Sequence, residues 1–134
     1  MELQEKSPSF SLVQFTAPEI ALAVLYFLLL CVFVAIPPIG SSSEAREAHI
    51  IQVILRTGEW LLPDRNGIVA SKPPFFHWCG AMLSSLLGIT PMVAARLVSG
   101  ICASLLLLLA MRLARVMYPE DHLLPFFAGA ALIT

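Results

Sequence analysis

The sequence predicts an all-α, polytopic helical membrane protein, and three observations predict it. Hydrophobic residues make up 58% of the 134-residue chain and charged residues only 13%, where a globular chain carries about 25% charged residues. The apolar residues come in long blocks, as bilayer-crossing helices require, and mean hydropathy is +0.85. Eight of the seventeen charged residues are gathered in one stretch, residues 41–78, between two apolar segments.

The net charge of −1 is not distributed as a basic tail or basic-aromatic patch, so no surface for nucleic acid is expected. Cys31, Cys79 and Cys102 sit in apolar runs. Their odd number, without a CxxC spacing, argues against a zinc site or disulfide framework.

The elements follow in order. Residues 1–16 read as a polar tail. A first span is expected at about 18–37, because residues 20–36 carry no charge and a crossing takes about 20 residues. Glu19 would sit at its interface. The leading segment is long and acidic, which favours an uncleaved anchor over a signal peptide.

An extracytoplasmic loop is expected over about 40–74. Pro37-Pro38 ends the span, and Ser41 with Glu44 has capping-box spacing for a new helix that stops at Gly58. On a helical projection Ile50, Ile54, Ile51, Leu55 and Ala48 share one arc, opposite Gln52, Arg56, His49 and Arg46. The helix is therefore amphipathic, suited to the membrane surface or to other spans. Glu44 and Glu47 fall inside the apolar arc. Residues 59–74 read as loop, with Pro63-Asp64, Asn66-Gly67 and Pro73-Pro74 as turn signals.

Residues 75–88 are apolar but too short to cross, which predicts an interfacial or re-entrant helix with His77 and Trp78 at headgroup level. Pro91 opens a span over about 91–115. Arg96 interrupts it near its start, with snorkelling as the default and a loop acid as the other partner. Arg112 and Arg115 close it. A third apolar helix begins over 123–134, too short to cross. The expectation is the N-terminal part of a longer single transmembrane domain.

A charged loop between spans is where a membrane enzyme would hold its working groups. The loop carries Glu44, Arg46, Thr57-Gly58-Glu59-Trp60, Pro63, Asn66-Gly67, Lys72-Pro73 and His77-Trp78. In order and in most spacings this pattern resembles the first extracytoplasmic loop of polyprenyl-phosphate-dependent glycosyltransferases. These are the GT-C superfamily, in the branch with bacterial lipid A aminoarabinose transferases and protein O-mannosyltransferases. The resemblance covers about residues 40–117, including Gly88, Arg96 and the long apolar helix.

The resemblance implies a GT-C fold whose loop helix lies along the membrane beside a cavity for a lipid-linked sugar. It implies that Arg46 and Lys72 bind the lipid phosphate, chemistry to which a forked guanidinium and an ammonium are suited. It also implies a catalytic carboxylate, but Ser43 stands at the family's Asp position, and Glu44 is left as the candidate. Ser71 stands where an acid often precedes Lys-Pro. No metal ligand set is named, and a divalent metal is left open. The implied partners are a polyprenyl-phosphate-sugar donor, a lipid or protein acceptor and membrane lipid.

Each residue has a plainer reading. Glu44 suits any helix start, Arg46 the polar face, and Lys72 an ordinary surface. The shared pattern favours function for Arg46 and Lys72, while Glu44 is evenly weighed. His49, His77, Trp60 and Trp78 read as interfacial residues. The positive-inside rule alone would turn the loop to the cytoplasm, whereas the resemblance turns it outward in a bacterial inner membrane, and the resemblance is followed. A second class of function is a non-catalytic small membrane protein serving as a scaffold or assembly subunit.

Overall fold

A computed structural model of the chain describes residues 15–34, 42–61, 63–65, 68–69 and 74–133. Its elements are helices α1 (Ala17–Val34), α2 (Ser42–Thr57), α3 (Phe75–Leu87), α4 (Pro91–Met117) and α5 (Leu124–Ile133), with a minimal strand pair, β1 (Asp64–Arg65) and β2 (Ile68–Val69). The all-α class holds.

Local chemistry sets the helix boundaries. α1 begins on one half of a capping box: the Glu19 carboxylate reaches back to accept the Thr16 backbone N–H at 2.8 Å, while the Thr16 hydroxyl has no hydrogen-bond partner among the described residues. Pro18 falls in the first turn, where its missing N–H has no helical partner to lose. α2 ends at Gly58, which has φ of 73° and donates its N–H to the Ile54 carbonyl at 2.9 Å, as a left-handed stop does. α3 stops in the same way at Gly88. α4 opens on Thr90, whose hydroxyl accepts the Val93 N–H, followed by Pro91.

The loop expected over 59–74 holds more order than its turn signals suggested. β1 and β2 pair antiparallel, Asp64 opposite Val69 and Arg65 opposite Ile68. The turn signal Asn66-Gly67 between them lies outside the described residues.

α4 is the axis of the molecule, for α1, α2, α3 and α5 all pack against it. Two cores form along it. Ile50, Ile51 and Ile54 of α2 meet Ala81 of α3 and Ala95 of α4, flanked by Phe76 and Trp78. Further along, Ala23 of α1 meets Leu107 and Met111, flanked by Leu22, Tyr26 and Leu108. Of the predicted arc on α2, Leu55 alone turns outward.

α3 is packed inside out by the standards of a water-soluble protein. The buried face of α3 is His77, Gly80, Ala81 and Ser84, while Phe75, Met82, Leu86 and Leu87 are exposed. α4 is mixed: it buries Ala94, Ala95, Gly100 and Ser104 together with Val98, Leu107 and Met111, and exposes Leu105, Leu106, Leu109 and Leu113. Small residues on the buried faces let the helices approach closely. α4, with 27 residues, is long and apolar enough to cross a membrane; at 1.5 Å per residue it extends about 40 Å.

Candidate functional site

The first turn of α2 carries Glu44 and Glu47, three residues apart and so on one face of the helix. Further along, the same face bears Ile50, Ile51 and Ile54, which are buried against α3 and α4. The apolar contact carries both carboxylates inward, where each needs a partner. Glu44 finds the Arg96 guanidinium, and Nε of that arginine, 52 residues along the chain, donates to its Oε1. Glu47 finds His77, 30 residues along, with Nε2 and Oε2 2.6 Å apart.

Glu47 also takes Arg46. Its other oxygen, Oε1, accepts from Arg46 Nε at 3.2 Å and Nη2 at 3.1 Å. A single carboxylate thus joins a buried imidazole to an arginine whose side chain is 39% exposed. His77 is 1% exposed, with the Phe76 ring edge-on to it at 5.6 Å. Its Nδ1 is buried and has no hydrogen-bond partner among the described residues. Nearby, the Trp78 indole N–H donates to the Trp60 carbonyl and ties the chain after α2 to α3.

The sequence-derived site residues are therefore distributed as follows. Glu44 and Arg46 share a turn of α2 but have different partners, Arg96 and Glu47 respectively. Lys72, Ser71 and Ser41 lie outside the described residues. Arg96 does not snorkel alone, because the α2 face brings Glu44 within its reach. His77 is not an interfacial residue. It occupies the small-residue face of α3, and that face packs inward.

Glu47 and His77 were the members that sequence reasoning passed over, while for Arg96 a loop acid stood as the alternative to snorkelling. A signal for them existed. Acids inside an apolar arc demand inward partners, and His77 shares a helical face with Gly80, Ala81 and Ser84 at spacings of three, four and seven.

A second charged contact lies at the far end of α4. Arg115 Nε donates to Glu19 Oε1 at 2.7 Å, and Glu19 is fully buried. The Glu19 expected at the end of the first span is held inside the fold by this pairing. Among the described residues no three His, Cys, Asp or Glu side chains come together as a metal-holding group.

Comparison of the chain with protein-family models, with curated proteins and with solved structures finds no match. Chemically, the α2 end offers a guanidinium 39% exposed and braced from behind and a second guanidinium engaged by Glu44. Cations at such a boundary suit a phosphate or carboxylate ligand.

Proposed function

We propose that this chain is the donor-gripping region of a multi-pass membrane glycosyltransferase of the GT-C type. It takes a sugar from a polyprenyl-phosphate-linked donor and passes it to lipid A, another envelope glycan or a protein. On this reading it resides in a bacterial inner membrane, with the 40–90 region extracytoplasmic. The observation that carries the proposal is the cluster at the start of α4, where Arg46 and Arg96 are held by acids of an amphipathic helix. The apolar outer faces of α1, α3, α4 and α5 support the membrane setting.

In this mechanism Arg46 and Lys72 hold the donor phosphate. The acceptor oxygen or nitrogen attacks the anomeric carbon, and the bond from that carbon to the phosphate oxygen breaks. The electron pair stays on the phosphate, whose growing charge the two cations stabilise. Glu44 is the candidate to receive the acceptor's proton, and it must leave Arg96 to do so. The test is binding of geranylgeranyl phosphate by the chain in nanodiscs, against Arg46→Ala and Lys72→Ala. Loss of binding in both variants supports the reading; equal binding removes the phosphate role.

A non-catalytic scaffold is the second reading. Ser43 at the carboxylate position and the engagement of Glu44 by Arg96 favour it.

A further inference from the structure

Adjacent residues on a helix do not face each other, yet Arg46 bends round α2 to meet Glu47 with two of its nitrogens. The same carboxylate is also held from another direction. The fixing group is His77, which enters from α3 at 2.6 Å and is itself locked in a buried face between Gly80 and Phe76. The three side chains form a line from the core to the surface: imidazole, carboxylate, guanidinium. Burial falls along the line, with His77 enclosed and Arg46 39% exposed.

A line of this kind immobilises its outer member. An arginine free in solution samples many rotamers and loses that freedom on binding a ligand. Here Nε and Nη2 are already committed, so the exposed edge of the guanidinium is presented in a fixed attitude. The cost of burying a histidine with Nδ1 unpartnered would be avoided by an apolar side chain. A role for the ring in holding Glu47 accounts for its presence.

We propose that Glu47 and His77 are positioning residues that aim Arg46 at the donor phosphate. This rests on the function proposed above for Arg46. Neither residue touches the phosphate; His77 acts through Glu47, and Glu47 acts through Arg46.

The experiment uses the full chain in nanodiscs and measures binding of geranylgeranyl phosphate, with geranylgeraniol and inorganic phosphate as controls. His77→Phe and Glu47→Gln are expected to weaken binding about tenfold, the scale on which partners orienting a ligand group act. His77→Gln keeps an N–H where Nε2 stands and is expected to restore most of the affinity. It also separates positioning from loss of the buried ring. The double variant Arg46→Ala with His77→Phe is expected to bind no worse than Arg46→Ala alone, since His77 has nothing else to aim. Binding of inorganic phosphate alone, with no gain from the polyprenyl chain, would overturn the lipid donor as the ligand.

Wild-type affinity in His77→Phe would overturn the positioning proposal and leave the phosphate role of Arg46 standing. Absence of binding by the wild type would overturn the proposed function instead. In that case the Arg46 Nε–H resonance of nitrogen-labelled protein decides the line itself. A protected signal in the wild type that is lost in His77→Phe supports it, and the same signal in both overturns it.

Discussion

The two ends of α4 each carry an arginine held by an acid from far away in the chain, but the contacts are built differently. At the Arg115 end, Glu19 is fully buried, one oxygen taken by Arg115 and the other by the Thr16 N–H that opens α1. Helix cap and ion pair use the same carboxylate, and the result pins α1 to α4. At the Arg96 end, two acids of one helix turn reach two different helices, and the charged line continues outward to Arg46. Glu47 also uses both oxygens, but its partner Arg46 is 39% exposed where Arg115 is 23% exposed. A line ending on a half-exposed cation retains donors for a ligand.

Substitutions can break that contrast or sharpen it. The largest effect is expected from Ile51→Ala, which empties the centre of the α2–α3–α4 core and should lower stability by about 4 kcal/mol. Thermal unfolding in detergent measures it. Phosphate binding should weaken alongside, because α2 carries Glu44 and Glu47, while the Glu19–Arg115 contact stays intact.

Next comes Arg115→Ala, which leaves the Glu19 carboxylate buried without its cation. A loss of about 3 kcal/mol is expected, near the lower end for breaking a buried pair. Phosphate binding measured below the unfolding transition should be unchanged. If binding fell with stability, the two ends would not be separable.

Gly80→Ala is expected to cost about 2 kcal/mol by overpacking, because a Cβ there would overlap Ile51 Cδ1. Since α3 carries His77, the displacement of α3 from α2 should also loosen Arg46. The smallest effect belongs to Gly58→Ala. Nothing crowds that position, but its φ of 73° strains any L side chain by roughly 1 kcal/mol. Stability should fall by that amount with no change in ligand affinity.

The sequence made some of this legible and concealed the rest. Helix stops at Gly58 and Gly88, the start at Pro91 and the buried arc of Ile50, Ile51 and Ile54 are local features, written in turn chemistry and period. The Glu19 cap on the Thr16 N–H was equally local and could have been read. The partners of the acids were not local. Glu44 meets Arg96 across 52 positions and Glu19 meets Arg115 across 96, so their pairing depends on how helices register against α4.

His77 was misplaced for a different reason. A polar residue in an apolar helix was assigned to the wet side, but α3 buries its small and polar face and exposes its large apolar one. Where leucines face outward, the usual rule for choosing the exposed side reverses. Glu47 was visible in the apolar arc, yet its importance came only from the two residues it joins.

The most direct measurement compares Arg46→Ala with Arg115→Ala for two quantities, geranylgeranyl phosphate affinity and thermal stability, in the same nanodisc preparation. The account predicts a crossed result. Arg46→Ala loses affinity and keeps its unfolding temperature, since its side chain is half-exposed, whereas Arg115→Ala loses stability and keeps affinity. Equal losses in both quantities for both variants, or affinity lost only with Arg115, would contradict it.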